Sequence, residues 1–298
     1  MEVNAQNLTG LRTAFNTTFN QHFEAVTPTY TKVAMTVPSM SKSNDYRWMG
    51  KLSKMKEWLG QRQIQSLSQS SFVIANKSFE NTVSVDRDDI DDDSYGVYNP
   101  LFGDLGQTAA EFPDELIWSL LNDGFTTNCF DGQYFFDTDH PVIDANGAEQ
   151  SVSNFQGGAG TAWFLLDVTR AIKPLIFQDR RKAQFVAKDN PTDERVFMNK
   201  EFSYGVDMRC NAGYGLWQLA YASKQTLNAA NYAAARAAMM SLKGDHDRPL
   251  RIRPTLLVAP PSLESAALAV LKAEKDAAGA TNVYLNTADL HIEQLLTA

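Results

Sequence analysis

Cysteine is almost missing from this chain of 298 residues: only Cys129 and Cys210 occur, far apart in sequence. Two such residues make neither a disulfide framework nor a cysteine-rich zinc site, and they read as buried free thiols. Histidine is nearly as scarce, at His22, His140, His246 and His291, and no second histidine stands at ligand spacing from another. No apolar run approaches the roughly 18 residues of a membrane span. The first residues, Met1 to Asn7, carry neither a basic flank nor an apolar stretch, so they do not read as a signal peptide. Synthesis and function in a reducing cytoplasm, without a membrane, are the expectation. Positive charge is also short: 27 Lys and Arg against 35 Asp and Glu leave a formal net charge of −8. The one dense basic cluster is Arg180-Arg181-Lys182, too little to make gripping nucleic acid through its phosphates the main task.

Catalytic signatures are equally thin. The glycines at 157, 158 and 160 miss the dinucleotide fingerprint because Trp163 stands where its third glycine belongs. There is no Walker A pattern, no Gly-x-Ser-x-Gly elbow and no His-Glu-x-x-His helix. Nor are there internal repeats.

What is present is the balance of a folded globular protein, 44% hydrophobic and 21% charged. Leu8, Leu11, Phe15, Phe19, Phe23 and Val26 recur at spacings of three and four, a helical stripe closed by Pro28. Over residues 38–80, Tyr46, Trp48, Met49, Leu52, Met55, Trp58 and Leu59 sit in a polar frame. That pattern suits either an arm packing on a partner chain or an ordinary surface subdomain. Val83 and Val85 suggest a short strand running into the acidic stretch 86–93. A long helical pattern then spans 94–123, with Pro100 in its first turns and Asn122-Asp123-Gly124 as its stop. Pro113 should kink or divide it. Residues 185–221 are strand-like, including Val196-Phe197-Met198. Helix returns at Tyr232, a buried strand at Thr255–Val258, a helix near Ser262, and an edge strand in the tail from Leu290. Helices and strands mix without βαβ regularity, so the fold class is α+β.

Two clusters invite chemistry. Starting at Asp89, the acidic run places Ser94 and Pro100 where a calcium loop needs glycine and a bidentate acid, so it reads as a solvated helix entrance. Asp137, Asp139 and His140 could ligate a metal or pair a base with its orienting acid. The bland alternative is a rigid turn whose carboxylates cap backbone N–H groups. No catalytic, cofactor or metal residue is assigned, and the chain does not read as an enzyme.

Four segments together resemble one family. They are Phe130-Asp131-Gly132 through Phe136-Asp137-Thr138-Asp139-His140-Pro141, Asn199 through Val206, Asn231 through Gly244, and Arg253 through Glu264. In order and combination they are similar to the major head subunit of Mu-like bacteriophages, over most of the chain from about residue 8 onward. The resemblance implies the tailed-phage capsid fold of the Hong Kong 97 type. Residues 1–37 would form an N-terminal arm and 38–80 an E-loop. Residues 81–156 would form a peripheral domain built on the spine helix, and 157–298 an axial domain with the remaining peripheral strands. It implies a structural protein that assembles as hexamers and pentamers into an icosahedral head enclosing double-stranded DNA, in the host cytoplasm and then the virion. Scaffold, portal and decoration proteins would be partners, and a net negative wall would keep DNA from adhering. Phe15, Phe19 and Phe23 in the arm, with Trp48, Met55 and Trp58 in the loop, are the expected intersubunit anchors. Self-packing on the chain's own domain is the alternative for the phenylalanine stripe. The rival functions are another virion component, of decoration or tail, and a metal-assisted hydrolase using Asp137, Asp139 and His140.

Overall fold

A computed structural model describes residues 3–49, 72–92, 94–276 and 278–296. Helix α1 (Ala5–Ala25) starts where the Asn4 side chain accepts the Asn7 N–H, and its buried face is Leu8, Leu11, Phe15 and Phe19. Thr9, Thr13, Thr17 and Thr18 on its exposed face bond back to carbonyls four residues earlier, so their hydroxyls need no outside partner. Val26 is already extended ahead of Pro28. Strands β1 (Ala34–Pro38) and β2 (Ser43–Asp45) follow, then β3 (Val73–Ala75) and β4 (Lys77–Asp86). Strand β2 pairs with β3 antiparallel, bracketing the interior of the expected E-loop. Met55 and Trp58 lie outside the described residues. Strand β4 crosses the expected boundary at residue 80.

The acidic run forms a short helix, α2 (Arg87–Asp91), capped by Asp86 through the Asp88 N–H. Asp86, Asp88 and Asp89 stand at the positive end of this helix and Asp91 and Asp92 at its other end. The run thus makes a short helix of its own ahead of the long one and not that helix's entrance. After a 3₁₀ turn over Ser94–Tyr98, α3 (Asn99–Asn122) runs 24 residues without a break. The division expected at Pro113 does not occur. Proline costs the Ala109 carbonyl its usual donor, but Ala109, Ala110, Ile117 and Trp118 are buried on either side and keep the two halves in one continuous helix. Glycine lets α1 approach α3 closely: a Cβ on Gly106 would lie 2.3 Å from the Phe19 carbonyl oxygen.

The chain continues through β5 (His140–Ile143), β6 (Glu149–Val152), β7 (Phe155–Gly158) and β8 (Trp163–Leu166). Two long strands, β9 (Leu175–Lys188) and β10 (Glu201–Tyr214), then pair antiparallel. Between them lies helix α4 (Glu194–Asn199), not the strand expected around Val196–Met198. The Asn190-Pro191-Thr192-Asp193 turn ends β9, and Lys200, in the left-handed region at φ 57°, turns the chain into β10. Strand β11 (Ala220–Lys224), α5 (Ala229–Ser241), the two-residue strands β12 (Lys243–Gly244) and β13 (Arg248–Pro249), β14 (Leu256–Ala259), α6 (Glu264–Leu271) and β15 (Asp289–Ile292) complete the order.

Two main sheets result. One is β1-β9-β10-β4, with β1 parallel to β9 and the rest antiparallel; the other is the mixed sheet β15-β14-β8-β11-β7. The tail strand β15 is an edge, as its alternation suggested. One apolar core joins the five-stranded sheet to the second half of α3 and the near ends of β9 and β10. A second packs α1 and the first half of α3 on β4 and the far ends of β9 and β10. Helix α3 therefore serves both.

Candidate assembly interface

Of the three residues that invited catalysis, Asp137 and His140 are used structurally. Asp137 accepts the backbone N–H of Tyr134 at 3.2 Å and of Thr138 at 2.7 Å, the capping role of a rigid turn. Asp139 is exposed. His140 is fully buried and lies flat on Trp217, with ring centroids 3.9 Å apart. Its Nδ1 is 2.8 Å from Asp131 Oδ2, and its Nε2 is 3.2 Å from Asn154 Oδ1. Asn154 donates to the carbonyls of Phe135, Trp217 and Ala220 and accepts the Asp137 N–H. These bonds fix its amide orientation and tie the 130s turn to the five-stranded sheet.

Sequence reasoning overlooked Cys129 as a member of this group. Its thiol donates to Asp131 Oδ1 at 3.0 Å. Burial, with the neighbouring Asp131 charge, pushes the thiol well above its ordinary range, so it stays protonated. Burial pushes the Asp131 carboxyl up, but hydrogen bonds from His140 and Cys129 outweigh it and leave the group below the usual carboxylate value. Cys129, Asp131 and His140 are close enough to consider a metal. Here, though, the one carboxylate already spans the thiol and the imidazole, and no fourth side chain of ligand type joins them among the described residues. The group is a hydrogen-bonded brace.

The expected anchors divide. Phe15 stacks on Phe102 at 3.9 Å and meets Tyr204 edge-on at 5.3 Å, while Phe19 packs on Phe185 at 5.6 Å. Both rings are buried inside the subunit, so for them self-packing is what the structure has. Phe23 is half-buried beside a groove of about 300 Å³ that Val26, Pro28, Tyr30, Pro113 and Phe177 also line. Trp48 is half-buried against Tyr46.

Of the most exposed large apolar side chains, Met40 (91%) lies within the expected E-loop, and an adjacent pair lies elsewhere. Phe197 is 82% exposed and Met198 69% exposed, next to each other on α4. Arg195 of the same helix reaches Glu201 at 3.0 Å and Ser84 at 3.2 Å, which holds the tip in place.

The family model for the Mu-like prophage major head subunit gpT matches residues 8–296. The chain belongs to the Mu-like major head subunit family. It is 43% identical over 289 residues to the major capsid protein of Escherichia phage Mu, covering 95% of each chain. It is 45% identical over 252 residues, 82% of each chain, to the Mu-like prophage FluMu major head subunit of Haemophilus influenzae. Among solved structures, the subunit in the procapsid of bacteriophage JBD30 superposes with a TM-score of 0.88 at 42% identity, covering 99% of this chain and 100% of that one. The JBD30 capsid gives 0.78 at 32% identity, covering 92% of each chain. This head subunit has the tailed-phage capsid fold, and its work is structural, as part of a phage capsid. The exposed α4 tip was missed because Val196-Phe197-Met198 reads as a β-branched and aromatic run. The available signal was the Asn190-Pro191 turn with Asp193 and Glu194 opening a helix.

Proposed function

We propose that many copies of this head subunit close into an icosahedral shell of hexamers and pentamers around double-stranded phage DNA, without a catalytic step of their own. The observation that carries this is the full-length likeness to the JBD30 procapsid subunit at a TM-score of 0.88. The uncovered Phe197 and Met198 support it, since each weak apolar contact is multiplied by closure. In this reading residues 1–37 act as arm and 38–80 as E-loop. Residues 81–156 belong to the peripheral domain, and 157–298 to the axial domain with the remaining peripheral strands. Phe23 and Trp48, together with Met55 and Trp58, reach neighbouring copies, whereas Phe15 and Phe19 act indirectly by fixing α1. Assembly takes place in the host cytoplasm with scaffold and portal proteins. A decoration protein is a further partner, since a JBD30 capsid with which the chain shares 32% identity is described as decorated with minor capsid protein trimers.

Electron microscopy of the chain co-expressed with the head-morphogenesis proteins of a Mu-like phage tests the reading. Shells with five- and six-fold capsomers are expected, and Phe197→Ser with Met198→Ser should lower shell yield while leaving the unassembled subunit folded. Failure of the wild-type chain to form any shell under co-expression overturns it.

A further inference from the structure

The N-terminal linker, α3 and the C-terminal strand meet at one buried polar junction. Asp114 on α3 is buried and accepts the backbone N–H of Thr29 at 3.0 Å and of Tyr30 at 2.5 Å. One turn along α3, Trp118 donates its indole N–H to Thr29 Oγ1 at 2.9 Å. The Thr29 hydroxyl donates in turn to Glu293 Oε2, 3.4 Å away. Glu293 follows β15 directly, and its Oε1 accepts the Leu295 N–H at 3.0 Å. Asn122, at the end of α3, donates to the Leu295 carbonyl at 3.2 Å. His291 closes the ring, with Nε2 3.0 Å from Glu293 Oε2 and Nδ1 3.1 Å from Lys32 Nζ. An ammonium only donates, so Nδ1 accepts from Lys32 and the Nε2–H donates to Glu293.

The position of this junction matters more than the number of its bonds. Thr29 to Lys32 lead into β1 of the four-stranded sheet, and β15 is an edge of the five-stranded sheet. Strands from both sheets are thus fastened to the same two turns of α3. Apolar packing tolerates small sliding, whereas hydrogen bonds weaken steeply with angle and distance. A polar junction of this kind therefore has a made state and a broken state. The chain is also more like the JBD30 subunit in the procapsid, at a TM-score of 0.88, than in the capsid, at 0.78.

Resting on the shell-forming reading above, we infer that the Thr29–Asp114–Glu293 junction is a latch. It holds the subunit in its procapsid-like arrangement, and it opens when the shell takes up the capsid arrangement. Thr29, Asp114 and Glu293 are positioning residues for the two sheets.

The test uses shells of full-length wild-type chain, Thr29→Val and Glu293→Gln, each close in shape to the residue replaced. Thr255→Val is the control, because the Thr255 hydroxyl accepts the Val168 N–H at 3.3 Å inside the five-stranded sheet unit alone. Shells are warmed in steps, and the fraction in the capsid-like arrangement is counted by particle imaging. The two latch variants should convert several-fold faster than wild type, up to roughly tenfold for a buried hydrogen bond lost, and Thr255→Val at the wild-type rate. Equal rates for latch variants and wild type, or equal acceleration by Thr255→Val, overturn the latch. If a variant forms no shells, amide exchange in the unassembled subunit decides. Faster exchange at Thr29, Tyr30 and Leu295 together supports the latch, and unchanged exchange overturns it. A wild-type chain that forms no shell overturns the assembly reading first, and the latch with it.

Discussion

Asn154 shows how much one side chain can hold. It is fully buried, and its amide serves the Phe135, Trp217 and Ala220 carbonyls and the Asp137 N–H together. Asn154→Leu keeps the volume but strands those groups, at a cost on the order of 1–3 kcal/mol for each one left buried without water. Urea unfolding of the unassembled subunit should show a loss of several kcal/mol, and a loss below about 1 kcal/mol would remove the brace from the account. Phe15→Ala should cost about 3–5 kcal/mol, because the ring is enclosed by Phe102 and Tyr204 and leaves a cavity. The pattern at spacings of three and four made Phe15 legible as one face of a helix. It could not say whether that face met the chain itself or a neighbour, since an apolar stripe carries no address. The place of Cys129 in the brace was not legible, because it is joined to His140 only through Asp131, across a turn whose path the sequence does not state.

Among the elements, α3 was legible nearly to its ends, from Pro100 at the start to the Asn122-Asp123-Gly124 stop. Its continuity through Pro113 was not, because local preference argued for a break and burial on both flanks overrode it. The crossing of α1 and α3 depends on Gly106, where a Cβ would meet the Phe19 backbone oxygen at 2.3 Å. Gly106→Ala must push the helices apart and should lower stability by about 1–3 kcal/mol despite alanine's better helix preference. A thermal midpoint equal to or above that of wild type would show that the helices do not depend on this approach. Helix α4 was misread because β-branched and aromatic residues favour strands in general, while here the flanking turn had already ended β9.

For the molecule as a whole, acid should be destabilising in a defined window. Burial raises the Glu293 carboxyl, but hydrogen bonds from His291 and the Leu295 N–H bring it below its ordinary value. Asp131 is lowered in the same sense by His140 and Cys129. A carboxyl depressed by folding stabilises the native state fully above its unfolded pKa, about 4 for Asp and Glu. That contribution is lost as pH falls through the folded value, because the unfolded chain then binds more protons. Groups facing Glu293 are His291 and Thr29, with Lys32 behind the histidine and Asp114 bound to the same linker. Glu293→Gln should therefore lose stability at pH 7 and show a shallower decline between pH 5 and 3, read from urea midpoints. An unchanged slope would place the acid response elsewhere.

The sequence by itself determined the class of protein: acidic, poor in cysteine, without a catalytic motif, and carrying four segments in the order of a Mu-like head subunit. It also determined most helices and strands, because period and punctuation are local properties of the chain. Tertiary structure alone decided that Phe15 and Phe19 turn inward and that Phe197 and Met198 are left outward. It also decided that Thr29, Asp114 and Glu293 meet. These facts depend on which distant segments come to share a core, and no local pattern encodes that.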